Sequence, residues 1–326
     1  MKKPFKFLVV LTLFFYCGNY AFAQTPSVTD LINEGNKLQG QKKYDEAIAK
    51  FNEALKIDPE NANAEYELAY ALFANKKGLE GIPYLEKVVK STHKGLIVAA
   101  YSLMGTIYDE AHQPQKAIDA FNEGIKLAPG HPQIYYNQGL AYFRNQQYAE
   151  AELDAIEAIK HDPKNASNQR LYALVTFHQN KRVNALLGFC SFLLIEPTGP
   201  RATEAYTNIQ SILKGGVLKD DKGNVPKEDK ESAAMNAGLT AIVAAGQAKK
   251  LLATDLLEYE LKGIFTQTGQ ASEKKTDKTF FDKFFADYLY KLAQSNNMPP
   301  FTHMVAEHTP ITGDLKDWVD NMERGF

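Results

Sequence analysis

Cysteine is nearly absent: Cys17 and Cys190 are the only two in 326 residues. No disulfide framework can staple such a chain, so its stability must come from packing. Tryptophan occurs once, at Trp318. Neither sign of charge is in excess, with 37 Lys and Arg against 39 Asp and Glu and a formal net charge of −2. A nucleic-acid binder normally shows a basic patch or stripe, and none is written here. Alternating apolar runs that would mark strands are missing. So are a glycine-rich phosphate loop and a Gly-x-Ser-x-Gly elbow. What recurs is a 3.6-residue periodicity, which makes the expected fold class all-α.

The first residues read as an export leader. Lys2, Lys3 and Lys6 precede an apolar run from Phe7 to Tyr16, and Ala21-Phe22-Ala23 offers small residues at a cleavage site before Gln24. The run is too short to span a bilayer, which needs about 20 residues. An uncleaved anchor, or a lipoprotein attached through Cys17, ranks below ordinary cleavage; Tyr16 is a poor neighbour for a lipidated cysteine. Removing residues 1–23 takes the 37 basic residues to 34 against 39 acidic ones, a formal charge of −5. The expectation is an exported, periplasmic or extracellular chain without a membrane span. Cys190, within the apolar stretch Leu186 to Leu194, is expected to be a small core residue rather than a reactive thiol.

A 34-residue beat organises the next two hundred residues. Ala47-Ile48-x-x-Phe51-x-x-Ala54-Leu55-x-Ile57-x-Pro59 returns as Ala117-Ile118-x-x-Phe121-x-x-Gly124-Ile125-x-Leu127-x-Pro129, then as Ala151-x-x-x-Ala155-x-x-Ala158-Ile159-x-x-x-Pro163. The last two copies are 34 apart and the first two 70 apart, two beats plus two residues. A period of this size means stacked supersecondary units. The pattern resembles the tetratricopeptide repeat, with good units at Val28 to Asn61, Val98 to His131 and Pro132 to Asn165. The unit from about Ala62 to Gly95 is degenerate, with His93 where proline belongs, and Ala166 to Gly199 is a fifth. The resemblance implies a solenoid of about five helical hairpins over residues 28–216, closed by a capping helix from Pro200. In each hairpin a small residue such as Gly35 or Gly105 lets the helices approach, and Phe51 or Phe121 fills the space beside it. Asn61 and Asn165 are placed to cap the helices that follow.

A charged, Gly- and Pro-punctuated stretch, residues 217–231, is expected to be a surface loop. Beyond it, residues 232–326 match no motif. Helices are expected at Ala233 to Lys249 and Leu251 to Phe265, then from Phe280 to Leu292 with Phe281, Phe284, Phe285 and Tyr288 on one core-facing stripe. Asn296 to Pro300 reads as a break, and a short helix near Leu315 to Met322 as the end.

Catalytic and metal-binding constellations are weak throughout. His303 and His308 are five apart, which puts them on different helix faces rather than in His-x-x-x-His register. No cofactor, metal site or catalytic residue is expected. The resemblance implies that the first helix of each hairpin lines a concave groove. Transferred position by position, the partner-binding residues are Asn36, Tyr66, Tyr70, Phe73, Tyr136, Phe143, Arg144, Arg170 and Phe177. Ile32, Ala99 and Leu103 stand where some relatives carry the basic residues that clamp a peptide carboxylate. The expected ligand is therefore a protein or peptide segment with apolar anchors and some acidic character. The functional expectation is a scaffold or adaptor, in envelope assembly or secretion. The alternatives are an enzyme or small-ligand domain in the C-terminal region, and self-association of the repeats.

Overall fold

The computed structural model describes residues 26–219 and 222–321. The expected leader with Cys17 and the cut before Gln24 lies outside the described residues, as do Asp220, Asp221 and Met322.

Ten helices pair into five antiparallel hairpins. They are α1 (Val28–Gly40) with α2 (Tyr44–Ile57), α3 (Ala62–Ala74) with α4 (Gly78–Val88), α5 (Lys94–Glu110) with α6 (Pro114–Leu127), α7 (Pro132–Arg144) with α8 (Tyr148–His161), and α9 (Ala166–His178) with α10 (Arg182–Leu193). A single helix, α11 (Pro200–Leu213), follows. Helix starts are fixed by side chains. Ser27 and Asp30 form a capping box, Asn61 accepts from the Ala64 amide at 3.1 Å, and Asn165 accepts from the Ser167 amide at 2.9 Å. Each caps amides that no helix turn can reach. Pro114 and Pro132 occupy first-turn positions, where a missing N–H costs nothing.

The turns inside the hairpins share one geometry without sharing a residue type. Lys42, Lys76, His112, Gln146 and Asn180 all have φ between 56° and 64°. The amide after each reaches back to a helix carbonyl, as in Lys77 to Leu72 at 2.8 Å and Gln147 to Tyr142 at 2.9 Å. This is a left-handed helix end with a six-to-one hydrogen bond. The two extra residues of the 70-residue interval enter between α4 and α5. No Asp-Pro follows α4, which stops at Val88, and α5 starts a turn early, at Lys94 rather than near Val98.

Close approach holds each hairpin together. A Cβ built on Gly105 would lie 2.6 Å from the Phe121 ring, and Gly35 faces Phe51 in the same way. Both rings are fully buried.

The C-terminal region is helical as well. Helix α12 (Lys230–Ala248) and α13 (Ala253–Glu273) form a further hairpin, followed by α14 (Asp287–Ala293), α15 (Met298–Glu307) and α16 (Gly313–Asn321). A π-helical segment, Asp282–Ala286, precedes α14. Its wider turn buries Phe284 and Phe285 together, both 0% exposed. Two expectations are corrected. The expected break falls at residues 294–297, between α14 and α15, while Pro299 and Pro300 sit in the first turn of α15. The charged loop ends earlier than residue 231, since Asp229 caps α12 by accepting from the Ser232 amide at 2.8 Å.

This region is not a separate core. One apolar cluster runs from Ala151 on α8 through α9, α10 and α11 into α12–α16, ending at Leu315. Helix α10 is its centre: every residue from Val183 to Leu193 is buried, Cys190 included. Burial pushes the Cys190 thiol far above its ordinary range. Tyr172 of α9 stacks on Phe285 at 4.7 Å. Asn236 of α12 accepts from the Val183 amide at 3.3 Å and donates to the Asn180 carbonyl at 2.8 Å. Glu228 of the charged loop accepts from both Asn180 and Asn236. The loop is thereby tied to the last hairpin turn.

Two measurements test this packing. Gly105→Ala forces the Phe121 ring to move and is expected to cost about 1–3 kcal/mol in a denaturant melt. Gly40→Ala, which meets nothing within 4 Å, is expected to leave stability unchanged or slightly raised; equal effects at both sites would contradict the close-approach account. The second concerns Asp154 on α8. Burial, with the nearby Glu157 carboxylate, raises its pKa from 3.8 to about 8, and its Oδ2 has no hydrogen-bond partner. Stability from this group is complete below the unfolded value and is lost as pH rises through 8. The Tm is expected to fall between pH 5 and pH 9, and Asp154→Asn to flatten that slope; an unchanged slope would remove Asp154 as its cause.

Candidate functional site

The first helices of the hairpins, α1, α3, α5, α7 and α9, lie side by side and carry the transferred groove positions. Between α3, α5 and α7 they leave a cleft of about 540 Å³. One wall is Tyr66, Tyr70 and Phe73 from α3. Facing it are Val98, Ala99, Ser102, Leu103 and Thr106 from α5, with Ile134 and Asn137 from α7. Gly95 belongs to the extra turn of α5 and forms one end of the cleft. Tyr70 is 41% exposed, while Tyr66 and Phe73 are half-buried. Ala128 and His131, between α6 and α7, complete the lining, and none of the lining residues is Lys, Arg, Asp or Glu. Burial raises the Tyr66 hydroxyl above its ordinary pKa, so the ring stays neutral at physiological pH. The cleft accepts apolar and aromatic groups and offers short hydroxyl and amide side chains for orientation.

The expected site residues divide into three groups. Tyr66, Tyr70 and Phe73 come together in this cleft. Asn36 is exposed on α1, outside it. The others do different work. Arg144 makes an ion pair with Asp109 of the preceding first helix, and burial raises the Asp109 carboxyl although Arg144 pulls it down. Arg170 pairs with Glu204 on α11. Phe143 packs edge-on to His178 at 5.0 Å and tilted to Tyr148 at 5.6 Å. Burial lowers the His178 pKa, so this knot of rings is uncharged. Tyr136 is half-buried against the large core. Phe177 is a correction: expected on the concave face, it is 1% exposed, enclosed in the apolar cluster that joins α8–α11 to the C-terminal helices.

Both arginines are paired with carboxylates, so neither stands as a free cation on the concave face. The partners could have been found in the sequence: Asp109–Arg144 and Arg170–Glu204 are 35 and 34 residues apart, one repeat. Asn137 to Ser102 at 3.5 Å repeats the 35-residue spacing. Neighbouring first helices are thus laced across the concave face at the period of the repeat. The residues that sequence reasoning missed, Gly95, Val98, Ser102, Ile134 and Asn137, depend on the early start of α5 and on the tilt between hairpins.

A second, smaller cavity of about 270 Å³ lies where the repeats meet the C-terminal region, between Glu152, Lys181, Asp229 and Glu231 with Phe280 and Phe281. Its charges are used internally: Lys181 pairs with Glu152 at 2.6 Å, and Lys275 bridges Glu231 at 2.7 Å and Asp282 at 3.0 Å. Among the described residues no three His, Cys, Asp or Glu side chains converge as a metal set. No described helix is long and apolar enough to cross a membrane.

Phe177 and Tyr70 give a test of the division between core and surface. Phe177→Ala is expected to cost about 3–5 kcal/mol of stability, and Tyr70→Ala to stay within about 1 kcal/mol, both read from urea melts. A neutral Phe177→Ala would return that ring to the concave face.

Comparison with known proteins agrees with the hairpin geometry. Residues 35–76 match the family described as TPR repeat, and residues 103–184 the family described as tetratricopeptide repeat. The chain is 25% identical over 134 residues to tetratricopeptide repeat protein 6 of Homo sapiens, covering 41% of this chain and 25% of that one. It is 30% identical over 117 residues to a TPR repeat-containing protein of Methanocaldococcus jannaschii, covering 35% and 19%. The chain therefore spans a quarter or less of these two relatives. Among solved structures, MamA protein superposes with a TM-score of 0.46 and 24% identity, over 52% of this chain and 91% of MamA. The two family matches and the five hairpins show that this chain carries tetratricopeptide repeats.

Proposed function

We propose that this chain is a non-enzymatic scaffold that holds a partner protein or peptide in the cleft between α3, α5 and α7. The observation that carries the reading is Tyr70, a large aromatic side chain 41% exposed at the wall of a cleft lined by no Lys, Arg, Asp or Glu. Exposed aromatics around a concave surface are the usual anchors of protein recognition. The two arginines beyond the cleft are paired with Asp109 and Glu204, which favours a partner held by apolar burial over one held by charge. The partner segment is one that offers one or two large apolar side chains, without the acidic character expected from the arginines alone. The leader-like start of the sequence supports a place outside the cytoplasm, with a role in envelope assembly or secretion.

The test is retention of a partner from an extract of the source cell's envelope. The intact chain is expected to retain a defined partner at both low and high salt, because charge screening does not weaken apolar contacts. The Tyr66→Ala/Tyr70→Ala/Phe73→Ala variant is expected to lose it by tenfold or more while remaining folded by circular dichroism. Equal retention by the folded variant, or loss of the partner in salt alone, would sink this reading.

A further inference from the structure

The hairpin α12–α13 ends in a tip whose composition differs from the rest of the chain. From Ser232 to Thr254 there is no acidic residue, although 39 of the 326 residues are Asp or Glu. The tip itself is Lys249-Lys250-Leu251-Leu252. Leu252 is 78% exposed and Leu251 38% exposed, and Lys250 turns the chain in the left-handed region with φ 54°. The other exposed large apolar side chains among the described residues sit singly in the sequence. Two adjacent exposed leucines at a turn are not explained by packing, since Leu257, one turn into α13, is the first leucine there to reach the core, at 4% exposed.

The tip stands away from the repeats. Helix α12 is held at its start, where Asn236 bonds to Val183 and Asn180. Lys250 lies fourteen residues further on, roughly 20 Å along a helix rising 1.5 Å per residue. The solvent-facing positions leading to it, Ala241, Ala244, Ala245, Gln247 and Ala248, are uncharged and, Gln247 apart, small, so nothing acidic would keep the tip from a flat surface. Lys249 lies over the Tyr259 ring at 4.9 Å, which holds that cation beside the leucines. The first acidic residues that follow in the sequence are Asp255 and Glu258, in the first two turns of α13.

We propose that this tip is a contact site for an anionic phospholipid surface. Leu251 and Leu252 enter the headgroup–acyl boundary, and Lys249 and Lys250 meet the phosphates. The complementarity is specific to this place in the molecule: a net-acidic protein presents here a segment that carries only positive charge and ends in exposed apolar side chains. Juxtaposed basic and apolar groups are what an interfacial contact requires. Two leucines and two lysines make a weak, reversible contact, one that orients the scaffold on a membrane and needs a second attachment to hold it there. The inference does not depend on the proposed use of the concave cleft, which lies on α3, α5 and α7.

A local probe tests it. In the full chain carrying Cys17→Ser and Leu252→Cys, an environment-sensitive dye is attached at position 252; Cys190 is 0% exposed and is not labelled in the folded protein. Vesicles of phosphatidylcholine with one-third phosphatidylglycerol are expected to blue-shift the dye and brighten it severalfold. Pure phosphatidylcholine is expected to give a much smaller response, and Lys249→Glu/Lys250→Glu to abolish the anionic preference. A dye placed at Thr276, exposed at the far end of α13, is expected to stay unchanged. The proposal is overturned if the dye at 252 does not respond to anionic vesicles at low ionic strength, even when the chain itself sediments with them through another segment. It is also overturned if 276 responds as strongly as 252, or if a vesicle-free protein extract produces the same shift, which would make the tip a seat for protein.

Discussion

A helix that is apolar on every side must be covered on every side, and α10 is such a helix. Eleven consecutive residues, Val183 to Leu193, are buried. In a stack of two-helix units the second helix has one flank on its own partner and another on the next unit, while its outer flank faces water. Here α9, α11, α12 and the π-helical segment close all of those flanks. The C-terminal region therefore follows from the composition of the last repeat: without it, the Leu186 to Leu194 stretch would present an apolar surface that the chain has no other means to bury. Tyr172 stacked on Phe285, and Asn236 bonded to the turn at Asn180, fix how the two parts meet.

That arrangement decides where a ligand can go. Because the C-terminal helices spend their apolar faces on α10 and α11, the cleft at α3, α5 and α7 is left open. The charged side chains on the concave face are laced to one another across one repeat, Asp109 to Arg144 and Arg170 to Glu204, which stiffens the row of first helices and leaves the tyrosines and Phe73 as the distinctive chemistry. On the proposed reading, stability and recognition occupy different ends of one solenoid: the apolar end beyond α8 is consumed by folding, and the cleft lies before it.

Much of this was legible in the chain. Gly35 with Phe51 and Gly105 with Phe121 stand sixteen residues apart because the last turn or so of one helix, a hairpin bend and the first two turns of the next bring those positions into contact, and the spacing announces the hairpin. The helix caps at Asn61 and Asn165 were equally plain. The turns were not, because the left-handed position is filled by Lys42, Lys76, His112, Gln146 and Asn180 in place of glycine. Backbone hydrogen bonding sets that conformation, and no side-chain type advertises it. Pro299-Pro300 misled for a related reason: proline ends a helix it follows but begins one it precedes, and only packing decides between them. Phe177 was misplaced because repeat positions assign a face, whereas membership of the large shared core decides exposure.

Hydrogen exchange on the intact chain tests the central claim most directly. If α9, α10, α12 and α13 share one core, their slowest amides open together with a single free energy, above that of α1 to α4. Amides of α12 and α13 that exchange as a separate, weaker unit while α10 stays protected would contradict it, and would make the C-terminal region an appended domain.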